Sequence, residues 1–186
     1  MILHINACVR KNSRTKELAD HLISRLGGDV KEVGLKNIDF PKITEEYLIN
    51  RDKLVEEGRL SDPAFYLARE FAAANEIVVS APYWDLSFPS ALKKYLEVIN
   101  VPHITFSYGS DGRVHGECRA KKLYYVTTAG GAVVEEFGYG YVKALANGLY
   151  GIKETFLVKA EWLDVDGADV KKILSEAKKR IDEIVP

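Results

Sequence analysis

The sequence predicts an α/β fold, a three-layer sandwich in which helices cover both faces of a five-stranded parallel sheet. Two observations carry that expectation. Short apolar runs recur at residues 2–5, 30–35, 77–81, 123–127 and 155–158, each nearly continuous rather than alternating, which is how strands buried on both faces read. Segments with helical spacing lie between them. Such alternation implies right-handed βαβ crossovers into one doubly wound sheet.

The first run leads into a helix over residues 13–26, with Leu18, Leu22, Ile23 and Leu26 on one face and Asn12 or Ser13 as N-cap. The second strand is followed by the least regular stretch, residues 36–60, which is polar and carries Glu45, Glu46, Arg51, Asp52, Glu56 and Glu57. It reads as a solvated excursion with a short helix, or alternatively as a lid or dimer arm. A helix over 63–74 precedes the third strand, and one over 89–99 follows it, with Pro89 suited to a first helical turn. The fourth and fifth strands are separated by a helix over 139–150, and a helix over 170–184 closes the pattern. With no repeat, low-complexity segment or linker, residues 1–186 are expected to form a single domain.

Composition narrows the function. The 186 residues are 47% hydrophobic and 28% charged, which excludes disordered and fibrous classes. A chain of this length buries roughly 70% of its unfolded surface and needs neither disulfides nor a structural metal. Lys and Arg number 26 against 27 Asp and Glu, so no global charge favours nucleic acid or an anionic membrane as partner. The N-terminal apolar stretch is short and broken by His4, far below the roughly 20 residues of a membrane span, and a cytoplasmic protein is expected. Cys8 and Cys118 make no CxxC and no metal spacing; they read as reduced thiols, so redox chemistry would need a cofactor.

Three loops after strands are competent to bind. After the first strand, Cys8-Val9-Arg10-Lys11-Asn12-Ser13-Arg14-Thr15 enters a helix, where unpaired N–H groups, the positive dipole end and two hydroxyls suit a phosphate. An ordinary cap among solvated basic residues is the plainer alternative. The turn lacks glycine, so neither a Rossmann dinucleotide fingerprint nor a P-loop is present. After the third strand, Ala81-Pro82-Tyr83-Trp84-Asp85-Leu86-Ser87-Phe88-Pro89 gathers four large apolar groups, for a flat aromatic ligand or else a core cap or subunit interface. After the fourth, Thr128-Ala129-Gly130-Gly131 lets backbone approach a ring edge, or simply turns. In open α/β sheets ligands bind beyond the strands' carboxyl ends, so joint placement outweighs any single loop.

With these residues in view, the chain resembles the FMN-dependent NAD(P)H oxidoreductases of the flavodoxin-like fold, the quinone reductase and azoreductase family. The phosphate loop of the type Ser-Pro-Arg-x-x-Ser-x-Ser is matched by residues 8–15, the motif of the type Ala-Pro-Met-Tyr-Asn-Phe-Ser-Ile-Pro by residues 81–89, and Thr-Arg-Gly-Gly by residues 128–131. Thr105-Phe106-Ser107-Tyr108 and the following glycine-containing segment look like the family's loop over the flavin. The resemblance implies strand order 2-1-3-4-5, bound FMN, NADH or NADPH as donor, a small-molecule acceptor such as a quinone or azo compound, and a homodimer. It implies that Cys8, Arg10, Ser13, Arg14 and Thr15 surround the phosphate, that Pro82, Tyr83, Trp84, Asp85 and Leu86 line the ring, and that Thr128, Ala129, Gly130 and Gly131 face its pyrimidine edge. His103, Phe106 and Tyr108 would meet substrate, with His115 nearby, or the histidines are solvated. Cys8 departs from a common serine, Asp85 from a common asparagine and Ala129 from a common arginine. No catalytic side chain and no metal ligand is expected, and His4 and His21 read as structural. Two rivals stand beside this reading: a flavodoxin-like electron carrier without a nicotinamide site, and a non-enzymatic binding protein.

Overall fold

The computed structural model describes residues 1–185. The strands are β1 (Ile2–Asn6), β2 (Val30–Gly34), β3 (Glu76–Ser80), β4 (Phe106–Tyr108), β5 (Val114–Gly116), β6 (Lys122–Thr128) and β7 (Glu154–Ala160). The helices are α1 (Arg14–Leu26), α2 (Glu45–Glu56), α3 (Tyr66–Ala73), α4 (Ser90–Ile99), α5 (Tyr139–Leu145) and α6 (Val170–Ile184). Five strands make one sheet in the order β2-β1-β3-β6-β7, all parallel, with Ile2 opposite both Val30 and Glu76. This is the expected fold and order; β6 and β7 are its fourth and fifth strands. Adjacent β1 and β3 leave the sheet in opposite crossover directions, so a crevice opens at their carboxyl ends.

Successive residues of a strand face opposite layers, and here both layers are apolar. Leu3, Ile5, Ile77, Val79, Leu123 and Tyr125 pack with Phe71 of α3, Tyr95 of α4 and Val142 of α5. On the other side Ile2, Val78, Tyr124, Val126 and Val158 pack with Leu18 and Leu22 of α1 and Leu174 and Ile181 of α6. That double burial explains why the sequence shows continuous rather than alternating runs.

Helix ends follow their cap chemistry. Ser13 Oγ accepts the Lys16 N–H at 3.2 Å, Thr44 Oγ1 accepts from Tyr47 N, and Asp169 Oδ1 from Lys172 N. Gly27 ends α1 at φ 67°, a conformation glycine adopts without strain. Beyond α5 a π-turn over Ala146–Tyr150 continues to Gly151 at φ 74°.

The helix expected within the polar stretch 36–60 is α2, 12 residues long, of which Leu54 is the buried residue. One element differs from expectation. Residues 106–116 form an antiparallel hairpin, β4–β5, rather than an open loop. A Cβ at Gly116 would strike the backbone of Tyr150 and Gly151, so glycine there lets the hairpin dock on the π-turn. Among the described residues, no helix is long and apolar enough to cross a membrane.

Candidate cofactor site

A cavity of about 430 Å³ opens at the carboxyl ends of β1, β3, β6 and β7. It is lined by Val9, Arg10, Asn12, Ser13, Arg14 and Thr15, by Pro82, Tyr83 and Trp84, by Thr128, Ala129 and Gly130, and by Leu163 and Asp164. The volume lies in the range of small-molecule sites. Three loops singled out from the sequence meet there, and a fourth joins them.

The first loop is set by a buried polar network. Asn6 Oδ1 accepts the Cys8 N–H at 2.9 Å, bending the chain as β1 ends, while Asn6 Nδ2 donates to Glu32 Oε1 at 2.7 Å. Ser80 Oγ lies 3.2 Å from Asn6 Oδ1 and 2.8 Å from His4 Nε2. Burial pushes the His4 ring below its ordinary pKa despite the opposing Glu32 carboxylate. The ring is therefore neutral at neutral pH, and the 3.5 Å approach of Nδ1 to Glu32 Oε2 is no ion pair then. Burial opposes ionisation of Glu32 as well, but the Asn6 amide together with Lys16 holds its carboxyl below the usual range. Cys8 turns inward: its thiol lies 3.7 Å from Ser80 Oγ, and burial pushes its pKa up. It supports the loop from beneath and does not line the cavity.

Where α1 begins, the helix offers no acceptor four residues back for the N–H groups of Arg14 and Thr15. Ser13 Oγ accepts from Lys16 N, which leaves its hydroxyl proton unused by the helix. Thr15 is buried, with Oγ1 2.7 Å from Thr128 Oγ1, so the first and third loops are joined at their bases.

The second loop is a tight reversal. Trp84 N–H donates to Ser87 O and Ser87 N–H to Trp84 O, at 3.1 and 2.8 Å, with Asp85 and Leu86 at φ 50° and 66°. Left-handed backbone is tolerated by Asp but strained for Leu. The reversal presents Trp84 to the cavity and leaves Leu86 56% exposed. Three bonds tie this loop to the next: Tyr83 N–H donates to Thr128 O at 3.1 Å, Val134 N–H to the Tyr83 hydroxyl at 3.0 Å, and the Ser87 hydroxyl to Phe137 O at 2.6 Å.

The third loop is clamped by the fourth. Leu163 N–H donates to Ala129 O, Asp164 N–H to Gly130 O and Trp162 N–H to Gly131 O, at 3.2, 3.2 and 3.3 Å. Among the described residues the N–H groups of Gly130 and Gly131 have no acceptor. A Cβ at Gly130 would meet Asp164 Oδ2 at 2.5 Å, so glycine permits the close approach.

Of the residues singled out from the sequence, Arg10, Ser13, Arg14, Thr15, Pro82, Tyr83, Trp84, Thr128, Ala129 and Gly130 line the cavity. Asp85, Leu86 and Gly131 stand beside lining residues without lining it themselves. His103, Phe106 and Tyr108 are not brought to it within this chain. His103, at φ 66°, lines a separate hollow with Arg69 and Ile104, and Phe106 packs edge-on against Tyr108 in the hairpin, where His115 also lies. Leu163 and Asp164 were missed. The rule that selected the other loops, ligands beyond strand carboxyl ends, also covers the loop after the last strand.

Comparison with known proteins agrees with the fold. The family model Flavodoxin_2, a flavodoxin-like fold, matches residues 1–185. An FMN-dependent NADH:quinone oxidoreductase of Clostridium beijerinckii is 32% identical over 185 residues, covering 95% of this chain and 92% of that one. A second protein of that name, from Clostridium acetobutylicum, is also 32% identical, over 98% and 96% of the two chains. Among solved structures, an FMN-dependent NADH-azoreductase from Bacillus anthracis in complex with FMN superposes with a TM-score of 0.78 at 22% identity, covering 99% of this chain and 96% of that one, which speaks for the fold. A match along the whole described chain, together with relatives at this identity over nearly their full length, means that this protein belongs to the Flavodoxin_2 family of the flavodoxin-like fold.

Proposed function

We propose that this protein is an FMN-dependent oxidoreductase that takes a hydride from NADH or NADPH and delivers it to a quinone, an azo compound or a similar two-electron acceptor. One observation carries the reading: a single cavity joins an anion-binding end to an aromatic wall at the switch point of a parallel sheet. The names and full-length similarity of the clostridial relatives support the same activity.

The donor set fits FMN. Arg10 and Arg14, Asn12, the Ser13 hydroxyl and the free N–H groups at the start of α1 suit a phosphate. Pro82, Tyr83 and Trp84 offer a flat apolar side for the ring, and the N–H group of Gly130, without an acceptor among the described residues, suits an oxygen of its pyrimidine edge. The sequence has no second nucleotide fingerprint for an adenylate half, which favours FMN over FAD. When bound, FMN supplies the hydride acceptance and donation.

The chain supplies position and shielding. The Thr15–Thr128 bond and the clamp between residues 129–131 and 162–164 hold the walls at fixed spacing, so the ring would enter a preformed slot. Trp84 and Tyr83 exclude water from one side of it. No histidine lines the cavity among the described residues, and the chemistry asks for none. A two-fold dimer with the cavity near its boundary accounts for the apolar side chains beside it: Trp84, Leu86 and Phe137 are 41%, 56% and 58% exposed. Two buried free thiols accord with a cytoplasmic home.

The visible spectrum of the purified protein, before and after FMN and then anaerobic NADH or NADPH, tests this function. The expected result is a flavin band that the nicotinamide bleaches. Flavin uptake without bleaching would mean an electron carrier, and no uptake would mean a binding protein. Light scattering of the flavin-loaded protein at micromolar concentration should give twice 20.8 kDa, and a single-chain mass would remove the dimer.

A further inference from the structure

The cavity has two cationic side chains in its wall, Arg10 and Arg14, and one anionic side chain, Asp164. A carboxylate in the wall of an anion-binding cavity calls for an explanation. Arg14 Nη1 donates to Asp164 Oδ1 at 2.8 Å and to Leu163 O at 3.4 Å, so the first cation of α1 is already engaged. The two partners are held very differently. Asp164 N–H is bonded to Gly130 O, and its carboxylate sits against Gly130 on a short side chain. Arg14 reaches across from α1 on a long, flexible one. Both remain open to solvent, at 41% and 70% exposure, so the pair contributes little to stability and either group is free to answer an ion entering the cavity.

Resting on the FMN reading above, we propose that Asp164 competes with the cofactor's phosphate for Arg14 and thereby sets FMN affinity through the phosphate alone. A phosphate monoester carries about −1.5 to −2 charges at neutral pH and accepts from guanidinium more strongly than one carboxylate does. Its entry draws Arg14 from Asp164 or shares it, and leaves the fixed carboxylate facing a second anion in the same cavity. Asp164 therefore opposes phosphorylated flavin while remaining indifferent to an uncharged one. The opposite arrangement, Asp164 steering Arg14 toward the phosphate, predicts the opposite sign for its removal.

The test uses full-length protein stripped of flavin and titrated separately with FMN and with riboflavin, following the quenching of flavin fluorescence. Asp164→Asn should bind FMN about three- to fivefold more tightly than wild type, the order expected when one like charge is removed at a solvent-exposed site. Riboflavin affinity should change by less than about twofold, and the FMN difference should shrink as salt is raised. Because Asp164 is exposed, thermal melting of the variant should match wild type. Unchanged or weaker FMN binding, or equal tightening of riboflavin, overturns the competition. Wild type that takes up neither flavin defeats the FMN reading itself, and the competition with it.

Discussion

Thr15 Oγ1 and Thr128 Oγ1 lie 2.7 Å apart, joining the first turn of α1 to the end of β6 across 113 positions of sequence. Thr15 is buried, whereas the neighbouring Ser13 lies half-exposed at the cavity with its hydroxyl proton unused by the helix. Two hydroxyls that look equivalent in the sequence thus sit in different surroundings.

Thr15→Val should act mainly on stability. The substitution keeps the shape and removes one buried hydrogen bond, costing about 1–2 kcal/mol in urea unfolding. Ser13→Ala should cost about 1 kcal/mol as a lost cap and, in addition, weaken FMN by about 1–3 kcal/mol as a lost bond to a charged acceptor. Equal loss of FMN affinity in the two variants would refute this division.

Acid should destabilise the fold through His4. Its folded pKa is depressed by burial, so as pH falls below the ordinary value of about 6.5 the unfolded chain takes up a proton that the folded one refuses. Stability is thus complete above that value and is lost as pH falls toward the folded pKa. Glu32, also depressed, adds a loss of the same sign at lower pH. Urea midpoints should fall between pH 7 and pH 5, and His4→Gln should flatten that slope whatever its own stability. A protonated His4 paired with Glu32 would make the wild-type midpoint rise instead.

Leu86 holds a left-handed conformation at φ 66° with its side chain exposed. Asn accepts that backbone more readily, so Leu86→Asn should raise unfolding stability by roughly 0.5–1 kcal/mol. The same change removes apolar surface beside the cavity, and a dimer of the kind proposed above should dissociate at lower dilution. A variant less stable than wild type would show that Leu86 is held by packing rather than strained.

Donor and acceptor should use the cavity in turn. A nicotinamide and a quinone are both flat and would compete for the one face of the ring that Tyr83 and Trp84 leave open, and the sequence offers no separate dinucleotide fingerprint. Initial rates against donor at several acceptor concentrations should give parallel lines. Intersecting lines would imply a ternary complex and a second nicotinamide site.

The sheet was legible because double burial makes strands apolar throughout, and the three cavity loops because Ser13, the aromatic run from Tyr83 and the Gly130-Gly131 pair are local signals. The hairpin was not legible, since strands of three residues such as Phe106–Tyr108 are too short for any period to show. Helix α2 has one buried side chain, Leu54, so its sequence reads as solvated whether or not it is helical. Asp164 carries no local mark at all: its meaning comes from Arg14, which only the closed fold brings near. The inward turn of Cys8 is equally a matter of tertiary contact, decided by Ser80 on the neighbouring strand.

Arg14 and Asp164 stand 150 positions apart, and that distance orders events during synthesis. A growing chain leaves the ribosome N-terminus first, so the phosphate loop emerges early and the wall contributed by residues 163 and 164 emerges after every strand of the sheet. Until then β6 lacks its outer neighbour and the Gly130 turn has nothing to clamp it. A cavity with all four of its loops therefore cannot exist before residues 162–164 have been made. Strands β1 and β3 can pair without that last wall, but the pocket they begin is closed by the final loop of the sheet.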